Sequence, residues 1–155
     1  MRIAVACDHG GFPLKKTVIE SIRAAGHEAL DLGTDSLESV DYPDFVEKLG
    51  QAIQSGKAER GVLLCGSGVG VAIAANKMKG LYAAICHDIY AAHQGVEHDG
   101  MNVLCLGARV IGPEIVKELV PAFLRAEFIG NEPGQERHAR RVGKVHKIEE
   151  NGDIK

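Results

Sequence analysis

The sequence predicts an α/β protein with a five-stranded, mostly parallel sheet and helices on both faces. Two observations carry this. Apolar runs of strand length alternate five times with segments whose apolar residues recur at helical spacing. The central run, 61–65 (Gly-Val-Leu-Leu-Cys), has no polar position, as expected of a strand covered on both sides. The length of 155 residues suits one domain, expected over 1–150, with a short fraying tail at 151–155.

The first strand is expected over 3–7, followed by a turn at Asp8-His9-Gly10-Gly11 and a helix opened by Pro13. Leu14, Val18, Ile22 and Ala25 line its apolar side, and Gly26 ends it. A second strand over 27–32 and a polar loop lead to a helix opened by Pro43 and ended by Gly56. The third strand, 61–65, runs into a glycine-rich turn and an alanine-rich helix over 71–77. A buried fourth strand is expected over 81–86, then a helix capped by Asp88 and reaching Val96, with His98-Asp99 in the loop beyond it. A fifth strand over 102–106 precedes a helix over 113–124 that Pro121 is expected to kink or shorten. A basic helix over 135–149 closes the fold.

Composition narrows the function. Tryptophan is absent and aromatics make up 5% of the chain, too few for a base-stacking platform. A net charge of −3 argues against general attraction to nucleic acid or anionic lipid. The N-terminal apolar run is too short for a signal-peptide core, and a cytoplasmic protein is expected. Cys7, Cys65, Cys86 and Cys105 form no CxxC pair and match no familiar zinc spacing, so neither disulfide nor metal is expected.

Ligands in such sheets bind outside the carboxyl ends of the strands. That rule selects Asp8 and His9, residues 65–70, His87 and Asp88, and residues 107–109. The segment Cys65-Gly66-Ser67-Gly68-Val69-Gly70 is the strongest signal: glycines let backbone amides approach an anion, and a thiol beside them is expected to ionise more readily. The plain alternative is a tight turn with a space-filling cysteine. Dinucleotide binding is a weaker rival, because a G-x-G-x-x-G pattern needs glycine where Val71 stands. Asp8-His9 reads either as a phosphate or proton-relay site or as a polar helix-capping turn. Arg137, His138 and Arg141 share a helical face; two guanidinium groups there suit a phosphate, though on these residues alone a solvated basic face is the better explanation.

Taken together, Cys-Asp-His-Gly-Gly at 7–11, Asp41-Tyr42-Pro43, the 61–77 segment, His98, Asn102, Gly107-Ala108-Arg109 and Arg137-His138-x-x-Arg141 resemble the ribose-5-phosphate isomerase type B family, with its galactose-6-phosphate and allose-6-phosphate isomerase relatives. The resemblance runs from Met1 to about Ile148. It implies a three-layer Rossmann-like fold, a homodimer or tetramer with sites shared between subunits, and no metal or redox cofactor. Cys65 is implied as the base between C1 and C2. Ser67 and the amides of Gly66, Gly68, Val69 and Gly70 hold the enediolate oxygen. His98 aids ring opening; Asp8 and Tyr42 position the sugar, with Asp99 and Asn102 among the substrate contacts. His9, Arg109, Arg137 and Arg141 surround the phosphate, with His138 nearby.

The chain departs from the family pattern in three places. Ser67 replaces the usual threonine and keeps the hydroxyl. Asp99 replaces the usual asparagine after the ring-opening histidine. The stretch 131–135 is longer than usual, which bears on how the last helix reaches a partner subunit. Ribose 5-phosphate ⇌ ribulose 5-phosphate is the expected reaction. The same chemistry on a hexose 6-phosphate or tetrose phosphate is the first alternative, and a non-catalytic nucleotide- or phosphosugar-binding domain the second.

Overall fold

The computed structural model describes residues 1–155. The elements follow one another as β1 (Arg2–Cys7), α1 (Phe12–Ala24), β2 (Glu28–Asp31), α2 (Tyr42–Gln54), β3 (Arg60–Cys65), α3 (Val69–Ala75), β4 (Ala83–Ile85), α4 (Ile89–Asp99), β5 (Val103–Gly107), α5 (Pro113–Arg125) and α6 (Glu136–Asn151). The strands form one sheet in the order β2-β1-β3-β5-β4. Every pairing is parallel, so the sheet is wholly rather than mostly parallel.

Strand side chains alternate between two cores, as the pleat requires. Ile3, Val5, Cys7, Val62, Leu64, Leu104 and Leu106 pack with α1, α4 and α5. Ala4, Ala6, Leu63, Cys65, Val103 and Cys105 pack with α2 and α3 on the other face. This is the expected three-layer, Rossmann-like arrangement. It brings the carboxyl ends of β1, β3 and β5 side by side.

Five local expectations need correction. β4 spans three residues rather than six, and Ala84 and Ile85 are exposed rather than buried. It is an edge strand, and side chains supply much of what a second neighbour would. Asn76 accepts from Ala83 N (2.9 Å) and donates to Ala83 O (2.8 Å). Asn102 accepts from Tyr82 N and donates to Gly80 O, both at 2.8 Å. The third helix starts at Val69, two residues early, because Gly68 takes the left-handed backbone (φ +83°) that turns the chain into it. α4 is capped by Asp88 as expected, with Asp88 Oδ1 accepting from Ala91 N at 2.7 Å. It continues to Asp99, however, so His98 and Asp99 lie on a helix rather than in a loop.

α5 runs past Pro121 to Arg125 without being shortened. Proline in a helix costs about 3 kcal/mol. Fully burying side chains such as Val120, Phe123 and Leu124 returns about 1.5–3 kcal/mol each, which outweighs it. The guanidinium of Arg60 donates to the carbonyls of Phe123 and Ala126 at the end of this helix. α6 extends to Asn151 and stops at left-handed Gly152, so the tail begins one residue later than expected. No helix is long and apolar enough to cross a membrane.

Candidate active site

β3 delivers Cys65 to the carboxyl edge of the sheet, between the ends of β1 and β5. The loop that follows folds back on the sulfur: Gly68 N–H donates to Cys65 Sγ at 3.1 Å. Val69 N–H donates to Ser67 Oγ at 3.2 Å. The tightness of this turn explains its glycines. A Cβ on Gly68 would stand 3.1 Å from the Leu106 carbonyl carbon, and one on Gly107 would stand 2.6 Å from the Ser67 backbone.

Around the loop lies a hollow of about 370 Å³ lined by Asp8, Tyr42, Cys65, Gly66, Ser67, Gly70, Arg109 and Val110. That size falls within the usual range of small-molecule sites. Cys65 is 6% exposed, and what it exposes faces this hollow. The other cysteines are enclosed. Burial pushes the thiols of Cys7 and Cys86 up to about 11, and raises that of Cys105 as well. A larger hollow, about 600 Å³, opens beside α1. Its Lys15 is committed to ion pairs with Asp31 and Asp35, and its lining includes no cysteine, serine or histidine.

Asp8 is nearly buried, and its Oδ1 accepts from Gly11 N at 2.9 Å; this closes the turn ahead of α1, whose own N-cap is Gly11, so Asp8 is a turn residue rather than the expected helix cap. His9 Nδ1 accepts from Val40 N at 3.2 Å, which puts the proton of the neutral ring on Nε2 and ties the 32–41 loop to β1. Tyr42 opens α2 with its ring against Gly70; a Cβ there would come within 2.9 Å of the ring. The Arg109 guanidinium lies over Gly66, 3.4 Å from where a Cβ would stand.

A second group forms where α4 meets α6. The rings of His98 and His138 stack with centroids 4.1 Å apart. Gln94 Nε2 lies 2.9 Å from His98 Nδ1. Arg137 donates to Gly134 O at 3.1 Å, and both Arg137 and Arg141 are exposed, without a carboxylate in ion-pair range. None of His98, Asp99, Arg137, His138 or Arg141 lines the Cys65 hollow of the same protomer.

Two placements depart from the sequence reading. His138 is 3% exposed, with Nε2 buried and unpartnered; it supports His98 from below rather than standing beside the two arginines at the surface. The amide of Asn102 is engaged at both ends by the backbone ahead of β4, where it holds the fold. Two further residues bear on the site, Gln94, unmarked in the sequence, and His87, marked there only by the strand-end rule. Gln94 reads there as an ordinary helix-surface residue. His87 Nε2 accepts from Gly107 N at 2.9 Å beside the Ser67 turn, and its place after β4 was the only signal for it.

The family model for ribose/galactose isomerases matches residues 3–145. The chain belongs to the ribose/galactose isomerase family. Among members of the family, ribose-5-phosphate isomerase B of Escherichia coli is 40% identical over 149 residues, covering 96% of this chain and 97% of that one. The D-erythrulose-4-phosphate isomerase of Pectobacterium atrosepticum is 43% identical over 131 residues, covering 84% and 86%. The structure of ribose-5-phosphate isomerase B from Clostridium thermocellum superposes with a TM-score of 0.91 at 43% identity, over 99% of this chain and 100% of that one. The chain is accordingly a sugar-phosphate isomerase of the aldose–ketose class, as the resemblance implied.

Proposed function

We propose that this protein interconverts ribose 5-phosphate and ribulose 5-phosphate through an enediolate, with Cys65 as the base. The observation that carries the reading is Cys65 lining a hollow, its sulfur accepting from an amide at 3.1 Å in a turn of further amides. Moving a proton next to a carbonyl needs a base and a home for the oxygen's charge. Cys65 takes the C2 proton of the open-chain aldose while the carbonyl oxygen gathers negative charge against Ser67 and the loop amides. The proton returns to C1, the O2 proton passes to O1, and the ketose results.

The reading requires a homodimer. His98, Arg137 and Arg141 do not line the Cys65 hollow of one protomer, and a second copy supplies them across the interface. Exposed Val69 and Ile73, one turn apart on α3, and exposed Ile85 on the adjoining β4 suit such a contact. Arg137 and Arg141, with Arg109 and His9, hold the phosphate and so fix the reacting carbons against the sulfur. His98 donates to the ring oxygen as the sugar opens.

Replacing Cys65 with alanine tests this. Turnover of ribose 5-phosphate is expected to fall at least a hundredfold, with binding retained. Undiminished turnover rejects Cys65 as the base, and binding without any turnover in the wild type favours a non-catalytic phosphosugar-binding role. A four-carbon substrate is the second reading, favoured by the 43% identity to the D-erythrulose-4-phosphate isomerase. Relative kcat/KM across tetrose, pentose and hexose phosphates separates the readings.

A further inference from the structure

The last turns of α4 carry Gln94, His98 and Asp99, and His138 of α6 covers the His98 ring. Gln94 Nε2 stands 2.9 Å from His98 Nδ1 and, at a longer 3.4 Å, from Asp99 Oδ2. An amide nitrogen only donates, and an ionised carboxylate only accepts. Asp99 therefore selects which end of the Gln94 amide faces the histidine, because the reversed amide would set its oxygen against a carboxylate oxygen. A donating Gln94 leaves His98 Nδ1 the accepting role. The neutral ring then carries its proton at Nε2.

We infer that Gln94, oriented by Asp99, is a positioning residue that locks His98 in the Nε2–H tautomer and aims that donor at the sugar's ring oxygen. The inference rests on the ring-opening role proposed for His98. Its consequence is selective. Ribose 5-phosphate closes into a furanose and must open, whereas ribulose 5-phosphate, with its O5 phosphorylated, is acyclic and enters the enediolate step directly. Disturbing Gln94 therefore slows turnover of the ring-forming aldose and spares proton exchange at C1 of the ketose.

The test combines two readouts on the intact protein. Long-range ¹H–¹⁵N correlation spectra of labelled protein report which His98 nitrogen bears the proton, with the signal assigned by its loss in His98→Asn. The wild type is expected to show Nε2–H. Gln94→Glu presents only acceptors and is expected to move the proton to Nδ1, while Gln94→Leu leaves a mixture. Gln94→Glu is expected to lose tenfold or more in turnover of ribose 5-phosphate, an effect of the size a misplaced proton donor produces, and Gln94→Leu a smaller loss in proportion to its remaining Nε2–H fraction. Both should incorporate deuterium from D₂O into ribulose 5-phosphate at nearly the wild-type rate. A His98 proton that stays on Nε2 in both variants overturns the inference, as does a moved proton with unchanged aldose turnover. Wild-type protein with the Nε2–H tautomer but no deuterium exchange overturns the proposed isomerisation and leaves the tautomer lock standing.

Discussion

His138 lies face to face with His98, the two planes 28° apart, and joins α6 to α4 through a stack of two imidazoles. Burial holds His138 below the ordinary histidine range, and the nearby His98, Arg137 and Arg141 push it the same way. Burial likewise lowers His87, whose Nε2 accepts from the Gly107 amide.

Both histidines thus bind protons more weakly folded than unfolded. Where the unfolded chain holds more protons, stability rises with pH. Stability is therefore expected to fall as the pH drops below about 6.5, the unfolded histidine value. Thermal unfolding midpoints from pH 8 to pH 5 check this. His138→Gln and His87→Asn are each expected to flatten the acid limb; an unchanged slope in both removes these histidines as its cause.

Gly70→Ala is expected to damage activity more than stability. The new Cβ would come within 2.9 Å of the Tyr42 ring, which must swing out of the hollow. Tyr42 is already 38% exposed, so its displacement costs the core little. A raised KM for ribose 5-phosphate with an unfolding midpoint near wild type is the expected pair of results.

Asn76→Ala removes both side-chain bonds to Ala83 and loosens the β4 edge. Two hydrogen bonds together contribute about 1–3 kcal/mol. Urea unfolding should register a loss in that range, and hydrogen exchange should quicken in β4 while the amides of β1 and β3 stay protected.

Co-expressing Cys65→Ala with an Arg137→Ala/Arg141→Ala double variant tests the shared site. A mixed dimer would carry one site with every defect and one intact, so random pairing restores about a quarter of wild-type activity. Activity no higher than that of either variant alone would place the arginines and the cysteine of each site in one subunit.

Much of this protein was legible in the order of its residues. The run 61–65, apolar throughout, announced a central strand, and the glycines behind Cys65 announced a turn in which backbone amides and a thiol come together. Asp88 announced the start of α4. These features are local: strand burial, capping and left-handed turns depend on neighbours a few residues away. What the tertiary structure alone decided joins distant segments. It set His138 against His98, forty residues earlier, and turned the Asn102 amide onto the backbone of the 80–82 turn. It also lengthened α4 by a turn, so that Asp99 meets the Gln94 amide that meets the His98 imidazole. Periodicity tells which face of a helix is covered; only the packing of one element on another tells by what.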